Sequence, residues 1–513
     1  AACCKPRKYP FCADDRKIQI QEDKKMKRFT GTKALTLLLA VMLMTASCGG
    51  TTEKPTGDDT TPGDGTTTAE ETTAARDTLP SDLDFGCETV NLFVDREMLI
   101  PEYNAEQDGD VVNDAIYERN IAVQDRLNVK FNFIESDGMY ANQKVFQGAI
   151  RSSVLSGDSA YDVVAGYGVS MSMLTGEKLF HNLPDTKYID FDMPWWPDSL
   201  TGALSVYGKL YMASGDISTN TVGTSFGVLF NKDLVEKYQI ENLYSLVDEG
   251  KWTFDKLFSL TSDVYTDLNG NSKKDKDDFF GIGMSDTFID NAWYACGLRV
   301  VEQDDEMGQK ISPLFNGEKA ASFIEKMINE FHGSNSAIIS DDEKIPVAFL
   351  NQQYIFMLNS IDYAANELRD ASFEYGVLPS PKWDEEQENY ITTASYTGSM
   401  YAIPIDAKDT DMSSAVIEAL SSEGYYRVSP AFFETAMKVK YSSDDDSARM
   451  YDIIKASIMY DFGRVYSVAG LDGIPGMMRA AVRDNNKNWA SNSAKNLPKL
   501  EKLLADLVEK FSE

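Results

Sequence analysis

The sequence predicts an α/β fold built from more than one folding unit, and three observations support this. The chain has 513 residues, which is more than one ordinary domain holds, so two or three folding units are expected. Apolar residues make up 43% of the chain and aromatic residues 11%, enough for a large core. From residue 83 onward strand and helix patterns alternate with short links, which favours sheets with right-handed crossovers.

The first half of that pattern reads strand, helix, strand, helix, strand, over residues 88–94, 111–127, 128–134, 142–156 and 161–165. Binding groups in such a sheet lie beyond the carboxyl ends of its strands. Asp95 and Arg96 follow the first strand, and Tyr167 follows the third. These three residues are therefore candidate ligand-binding residues.

Residues 208–233 combine a polar run with a β-rich run. We interpret this segment as the first crossing between two lobes, with residues 226–230 as the crossing strand beside residues 392–402. Asp216 and Asn220 would then lie on the rim of a cleft. Asp233 is expected to cap the next helix, because aspartate at that position accepts hydrogen bonds from the first turn.

The second half of the chain predicts a helix followed by a strand within residues 345–359, and further strands at residues 373–378 and 391–403. From residue 411 the pattern is mainly helical and ends in a helix over residues 497–511.

The N-terminal region predicts an exported protein. Residues 26–47 contain a basic start, an apolar stretch too short to span a bilayer, and small residues before Cys48, the pattern of a secretory signal peptide. A cysteine at that point resembles a bacterial lipoprotein signal, which implies lipidation of Cys48. A plain secretory signal or an uncut anchor is the alternative. Residues 1–25 are expected to be a non-native extension, and the Thr-rich residues 48–81 a disordered tether.

Composition excludes several kinds of function. A net charge of −32 argues against nucleic-acid binding. Two histidines, His181 and His332, exclude a histidine-rich metal centre and leave little room for a Ser-His-Asp site. No catalytic motif is present, and with 81 acidic residues carboxylate pairs arise by chance, so no enzyme is predicted. Cys87 and Cys296 are expected to be unpaired core residues.

A polar loop has the spacing of an EF-hand calcium loop. Two features depart from that pattern: Ser272 replaces the usual glycine at position six, and aspartate replaces the last glutamate. A structural calcium ion is the prediction and a solvated turn is the alternative. The candidate ligands are Asp267, Asn269, Asn271, the carbonyl of Lys273, Asp275 and Asp278.

Aromatic residues beside polar residues are the second signal, because aromatic faces stack on sugar rings while carboxylates and amides bind hydroxyls. For any single aromatic residue, core packing is the competing interpretation. The pairs Trp195–Trp196 and Trp293–Tyr294 lie near turns. With Asp216, Asn220, Asn359 and Tyr396 they fit a polar, aromatic-lined cleft.

Several segments together resemble the carbohydrate-binding family of extracellular solute-binding proteins, the maltose-binding type that serves ABC importers. They are IYERNIAVQDRLNVKFNF, YDVV, GKLYMASGD, VLFNKDLVEKY, GKWTFDKL, DLNGNSKKDKDDFFGIG and SPAFFETAMKVKY. The resemblance implies a two-lobed periplasmic-binding-protein-like fold of type II, with hinge strands and a mainly helical C-terminus. Its N-lobe would span residues 82–227 plus about 402–425, and its C-lobe residues 228–395 plus about 428–513.

The resemblance also implies what the protein does. It would be a lipid-anchored, extracytoplasmic monomer that captures a sugar or oligosaccharide and delivers it to ABC permease subunits. The ligand residues carried over by position are Asp95, Arg96, Tyr167, Trp195, Asp216, Asn220, Trp293, Tyr294, Asn359, Tyr396, Ser399 and, at the cleft edge, Asp472. The alternatives are a surface glycan-capture lipoprotein without an importer and a peptide- or polyol-binding variant of the same fold.

Overall fold

The computed structural model describes residues 77–365, 367–433 and 445–512, all within one compact unit, Ala75–Glu513. The strands are β1 (Glu88–Asp95), β2 (Val129–Ser136), β3 (Val163–Tyr167), β4 (Phe226–Asn231), β5 (Tyr265–Thr266), β6 (Phe279–Ser285), β7 (Val301–Gln303), β8 (Gln309–Ile311), β9 (Ala337–Ser340), β10 (Tyr354–Ser360), β11 (Tyr375–Leu378), β12 (Thr392–Thr393), β13 (Ser399–Ala402) and β14 (Ile458–Met459).

Helices alternate with these strands as the sequence predicts. They are α1 (Val111–Leu127), α2 (Gln143–Ser156), α3 (Gly168–Thr175), α4 (Asp198–Leu204), α5 (Thr219–Gly223), α6 (Lys232–Lys237), α7 (Leu243–Asp248), α8 (Phe254–Thr261), α9 (Phe288–Ala295), α10 (Glu318–Ile328), α11 (Lys344–Leu350), α12 (Asp362–Ala365), α13 (Thr410–Glu423), α14 (Ser429–Ala431), α15 (Asp445–Ala456), α16 (Phe462–Val465), α17 (Met477–Arg483) and α18 (Trp489–Ser512). No helix in the described residues is both long and apolar enough to cross a membrane.

Two mixed sheets organise the described residues. The first has the strand order β13-β3-β1-β2, in which β1 pairs in parallel with both β2 and β3 while β13 is antiparallel to β3. The second has the order β11-β4-β10-β6-β5, with β9 also parallel to β6. We call the parts of the chain built on these sheets the N-lobe and the C-lobe. Strands β3, β4, β6, β10, β11 and β13 are buried along their whole length, so each sheet contributes buried strands to the core of its lobe.

The chain passes between the sheets through two adjacent segments. Residues 213–225 lead from the N-lobe to β4, and residues 394–398 lead back to β13. The two run side by side, with antiparallel bridges from Ala213 to Tyr401 and from Ser225 to Ala394. The prediction that residues 226–230 form the crossing strand beside residues 392–402 is wrong: those residues belong to β4, which pairs with β10 and β11 within the second sheet, and the crossing ends before residue 226.

Other local predictions need correction. The cap of α6 is Asn231 instead of Asp233, because Asn231 has extended backbone angles and its side-chain oxygen accepts from Leu234 N at 3.0 Å. Cys296 is buried as predicted, but Cys87 is exposed, and both are free thiols. Residues 1–76, with the predicted extension, signal peptide, Cys48 and most of the tether, lie outside the described residues. The predicted tether nevertheless extends too far, because Leu79 is already buried against the N-lobe.

Glu102 joins the two crossings. This residue follows β1 and is 2% exposed. Its carboxylate accepts hydrogen bonds from Ser218 Oγ (3.0 Å) and from Asn220 N (3.0 Å) and Nδ2 (2.8 Å) on the first crossing. It also accepts from Ser399 Oγ (3.1 Å) and Tyr401 Oη (2.6 Å) on β13. One buried carboxylate therefore holds the base of both lobes together.

Replacing Glu102 by alanine should cost about 3–5 kcal/mol of unfolding free energy, because several buried donors would lose their shared acceptor. Urea denaturation of the wild type and of Glu102→Ala measures this cost. Glu106→Ala is the matched control, since Glu106 is exposed four residues away. A cost for Glu102→Ala no larger than that of the control would contradict the central position given to this carboxylate.

Candidate ligand-binding cleft

The N-lobe wall of the cleft is formed where β1 and β3 end. Tyr167 closes β3, and its ring centroid lies 5.7 Å from that of Tyr140, which is 62% exposed. Asp95 closes β1 and is fully buried beneath them, and burial raises its pKa to about 6. A Cβ on Gly138 would come within 2.6 Å of Asp95 Oδ2, so only glycine allows this close approach.

The C-lobe wall is formed where β9 and β10 end. Asn359 Nδ2 donates to the backbone carbonyl of Asp342 at 3.0 Å. Thr287 Oγ1 donates to the side-chain carboxylate of Asp342 at 2.9 Å. Burial, followed by the charges of Asp342 and Asp362, raises the pKa of Tyr140. The hydroxyl of Tyr140 is thus within electrostatic range of two carboxylates of the opposite wall.

Tyr396, on the return crossing, lies at the base of the cleft. Its hydroxyl donates to Asp290 Oδ2 at 3.1 Å, and burial raises its pKa to about 12. Arg479 binds the same Asp290 carboxylate through Nε at 3.2 Å and through a second, shorter contact. The guanidinium of Arg464 lies 4.0 Å from the centroid of the Tyr396 ring. Two arginines and a tyrosine thus surround one buried carboxylate.

Asp286 follows β6 and completes the polar surface. Burial raises its pKa to about 6, and Arg483 Nη1 lies 3.6 Å from its Oδ2. Its Oδ1 is buried and has no hydrogen-bond partner among the described residues. The cleft therefore combines aromatic faces, carboxylate acceptors and guanidinium donors, a set suited to binding a polar ring compound.

The structure brings together part of the predicted site. Tyr167 and Tyr396 belong to the cleft, Asp95 supports its floor, and Asn359 is buried and positions Asp342 on the C-lobe wall. Tyr294 lies beside the base, with its hydroxyl 3.3 Å from Asp461 and its ring 6.0 Å from the Arg464 guanidinium.

Both predicted tryptophans are core residues, which corrects the sequence interpretation. The indole N–H groups of Trp195 and Trp196 both donate to the Glu418 carboxylate at 3.1 Å. Burial raises the pKa of Glu418 to about 7. Trp293 is fully buried against Phe315, Phe323 and Trp489. A turn near an aromatic residue in the sequence does not fix which way its ring points.

Three predicted polar residues serve the framework instead of the cleft surface. Asn220 and Ser399 are fully buried and bind Glu102. Asp216 is buried, binds Ser429, and lies 2.6 Å from Lys455 Nζ. Their side-chain hydrogen-bonding groups are engaged within the protein, because the first crossing and the start of β13, on which they lie, are buried.

Two further predicted residues form exposed surface pairs. Arg96 Nε lies 2.5 Å from Asp137, and Asp472 lies 2.5 Å from Lys499 Nζ. Exposed pairs of this kind contribute little to stability.

The sequence interpretation missed Tyr140, Asp286, Asp290, Arg464 and Arg479. Asp286 had a signal, since it directly follows the apolar strand β6 and the strand-end rule applies to it. The two arginines had none, because they come from short helices far along the chain whose position over the cleft depends on tertiary packing.

The predicted calcium loop has a closed backbone but no assembled ligand set. Ser272 adopts φ 60°, the left-handed conformation that glycine usually provides, and its N–H bonds Asp267 at 2.8 Å. Asn269 and Asn271 point their amide nitrogens at Asp275. Among the described residues, no group of three or more His, Cys, Asp or Glu side chains is arranged to hold a metal. Flipping the side-chain amides of Asn269 and Asn271 would direct their oxygens, in place of their nitrogens, toward the Asp275 side of the loop.

The chain matches a known protein family. The family model of bacterial extracellular solute-binding proteins matches residues 122–426, more than half of the chain. A comparison with curated proteins found no match.

Solved structures share the fold. A cyclic α-maltosyl-1,6-maltose binding protein from Arthrobacter globiformis matches with a TM-score of 0.54 and 15% identity, over 82% of this chain and 99% of its own. A maltose-binding periplasmic protein from Listeria monocytogenes, in complex with maltose, matches with a TM-score of 0.52 and 14% identity, over 82% of this chain and 98% of its own. A cyclo/maltodextrin-binding protein complexed with maltotetraose matches with a TM-score of 0.52 and 13% identity, over 83% of this chain and 96% of its own. At such identities the likeness establishes the two-lobed type II fold alone.

Proposed function

This chain belongs to the bacterial extracellular solute-binding proteins, and on that premise we propose that it captures a sugar or oligosaccharide between its lobes and delivers it to the permease of an ABC importer. Membership of this family implies a location outside the cytoplasm. As predicted, it is a family of binding proteins and not of enzymes.

The observation that carries the sugar assignment is the chemistry of the cleft. Tyr140 and Tyr167 offer aromatic faces on one wall, and Asp342 and Asp286 offer carboxylates on the other. Aromatic faces pack against the C–H faces of a sugar ring, and carboxylates accept its hydroxyls. The proteins of the same fold named above bind maltose or maltotetraose. A ligand held by both walls stabilises the closed arrangement of the lobes.

Tyr140 tests this assignment with little risk to folding, because most of its side chain is exposed. We expect Tyr140→Ala to weaken sugar binding about tenfold, since aromatic contacts of this kind contribute roughly 1–1.5 kcal/mol beyond their buried area. The measurement is a thermal-shift screen of mono- and oligosaccharides, followed by calorimetry on the best ligand.

Tyr117→Ala is the control, since it removes an exposed tyrosine from α1. Equal affinities of the two variants would place the ligand elsewhere. A screen in which no sugar shifts the melting temperature, while a peptide or polyol does, would replace the sugar assignment by the corresponding ligand class.

Lipid anchoring at Cys48 is part of the same proposal. The support is the sequence pattern of residues 26–48. The mass of the mature N-terminal peptide from membrane-extracted protein tests it, and an unmodified or absent Cys48 would refute it.

We also propose that the loop of residues 267–278 binds a structural calcium ion. The support is the ligand spacing together with the left-handed Ser272 that closes the turn. Calcium should raise the melting temperature of the wild type and not that of Asp267→Ala. Asp263→Ala, an exposed substitution just before the loop, should keep the response. An unchanged melting temperature at millimolar calcium would show that the loop is a solvated turn.

A further inference from the structure

A small cavity lies at the base of the cleft, where the two crossings meet the carboxyl end of β3. Its volume is about 40 Å³. Its walls include Gly168 at the start of α3, Thr221 on the first crossing, Tyr396 and Gly398 on the return crossing, and Arg464 on α16. This volume accommodates a group of a few heavy atoms and is too small for a sugar ring.

Arg464 brings an unused donor to this cavity. The residue is 5% exposed, and its Nη2 donates to the carbonyl of Ala394 at 2.9 Å. Its Nη1 is buried and makes no hydrogen bond within the described part of the chain. Asp290 Oδ2 lies 3.7 Å from this nitrogen, which is close enough for an ion pair but too far for a hydrogen bond.

The carboxylates beside Arg464 are already engaged. Asp290 accepts from Arg479 through two contacts and from Tyr396 Oη. Asp461 accepts from Tyr294 Oη and from the backbone N–H groups of Val300 and of Arg464 itself. Arg464 and Arg479 therefore share Asp290, while Asp461, which also lines the cavity, accepts its hydrogen bonds from groups other than the Arg464 guanidinium. A buried guanidinium N–H without an acceptor is costly, so the Nη1 donor of Arg464 calls for one.

Resting on the proposed sugar-binding function, we infer that Arg464 recognises the carboxylate of an acidic sugar, so that the ligand class is a hexuronic acid or an oligosaccharide that carries one. A guanidinium matches a carboxylate in both charge and geometry. A hydroxyl of a neutral sugar would accept the same hydrogen bond but would bring no negative charge to a guanidinium that shares Asp290 with Arg479. The Tyr396 ring, 4.0 Å from the guanidinium, holds its plane in place.

Calorimetry with paired ligands tests this inference. The probes are disaccharides containing glucuronate, galacturonate or mannuronate, each compared with its carboxyl-reduced, neutral counterpart. At least one acidic disaccharide should bind about 100-fold more tightly than its neutral partner, in line with the loss that follows when one member of a buried charge pair is removed. Arg464→Gln should abolish this preference.

Arg449→Gln is the charge-matched control, because Arg449 pairs with Asp248 in an exposed position. It should keep the preference for the acidic sugar. The wild-type comparison needs no variant, so the inference remains testable even if Arg464→Gln does not fold.

The outcomes separate the inference from the proposed function. Neutral sugars that bind as tightly as the acidic ones, or a preference that survives in folded Arg464→Gln, would overturn the inference and leave the sugar-binding function intact. If neither acidic nor neutral sugars bind while a ligand of another class does, the proposed function itself fails.

Discussion

The carboxylate of Glu102 is the constraint on which the arrangement of the cleft depends. It binds Asn220 on the first crossing and Ser399 and Tyr401 on β13, so the two crossings are held side by side. Arg119 of α1 adds a bond to the Glu102 carbonyl at 2.6 Å. Because Tyr396 lies three residues before Ser399, the same network fixes the residue at the base of the cleft. A buried carboxylate with several donors resists displacement, since each buried donor would lose its partner. Motion between the lobes is then expected above this base and not within it.

The elements of the first sheet could be predicted from the sequence because their apolar residues recur with a simple period, whereas β5, β6 and β9 of the second sheet were not predicted. Helix α1 is observed with its predicted bounds, and β1 to β3 lie within two residues of theirs. Helix α18 begins eight residues before its predicted start, although Pro498 lies inside it. The reason is tertiary: Trp489 is fully buried and its indole N–H donates to the Phe315 carbonyl at 3.0 Å, which anchors the first turns. No local pattern carries that information.

Residues of the candidate site could be predicted only where they lie at the end of a strand. Tyr167 and Asn359 follow from the rule that ligand groups lie at strand ends, and Asp286 would have followed from the same rule. Trp195 and Trp293 were misplaced because residue type was used instead of position, and both indoles point into cores. Arg464 and Arg479 reach Asp290 from helices more than 150 residues later in the chain. Contacts of that separation are set by packing, which sequence periodicity does not encode.

The net charge of −32 raises the question of how such a protein would hold an anionic sugar. Surface charges are screened over about 8 Å at physiological ionic strength, so their effect falls mainly on the rate of encounter. At the base of the cleft the groups are buried, and there the interaction is screened much less. Arg464 and Arg479 converge on Asp290 in that environment. The local arrangement of a few buried groups therefore decides the sign of charge that the cleft accepts, and the overall charge of the chain does not.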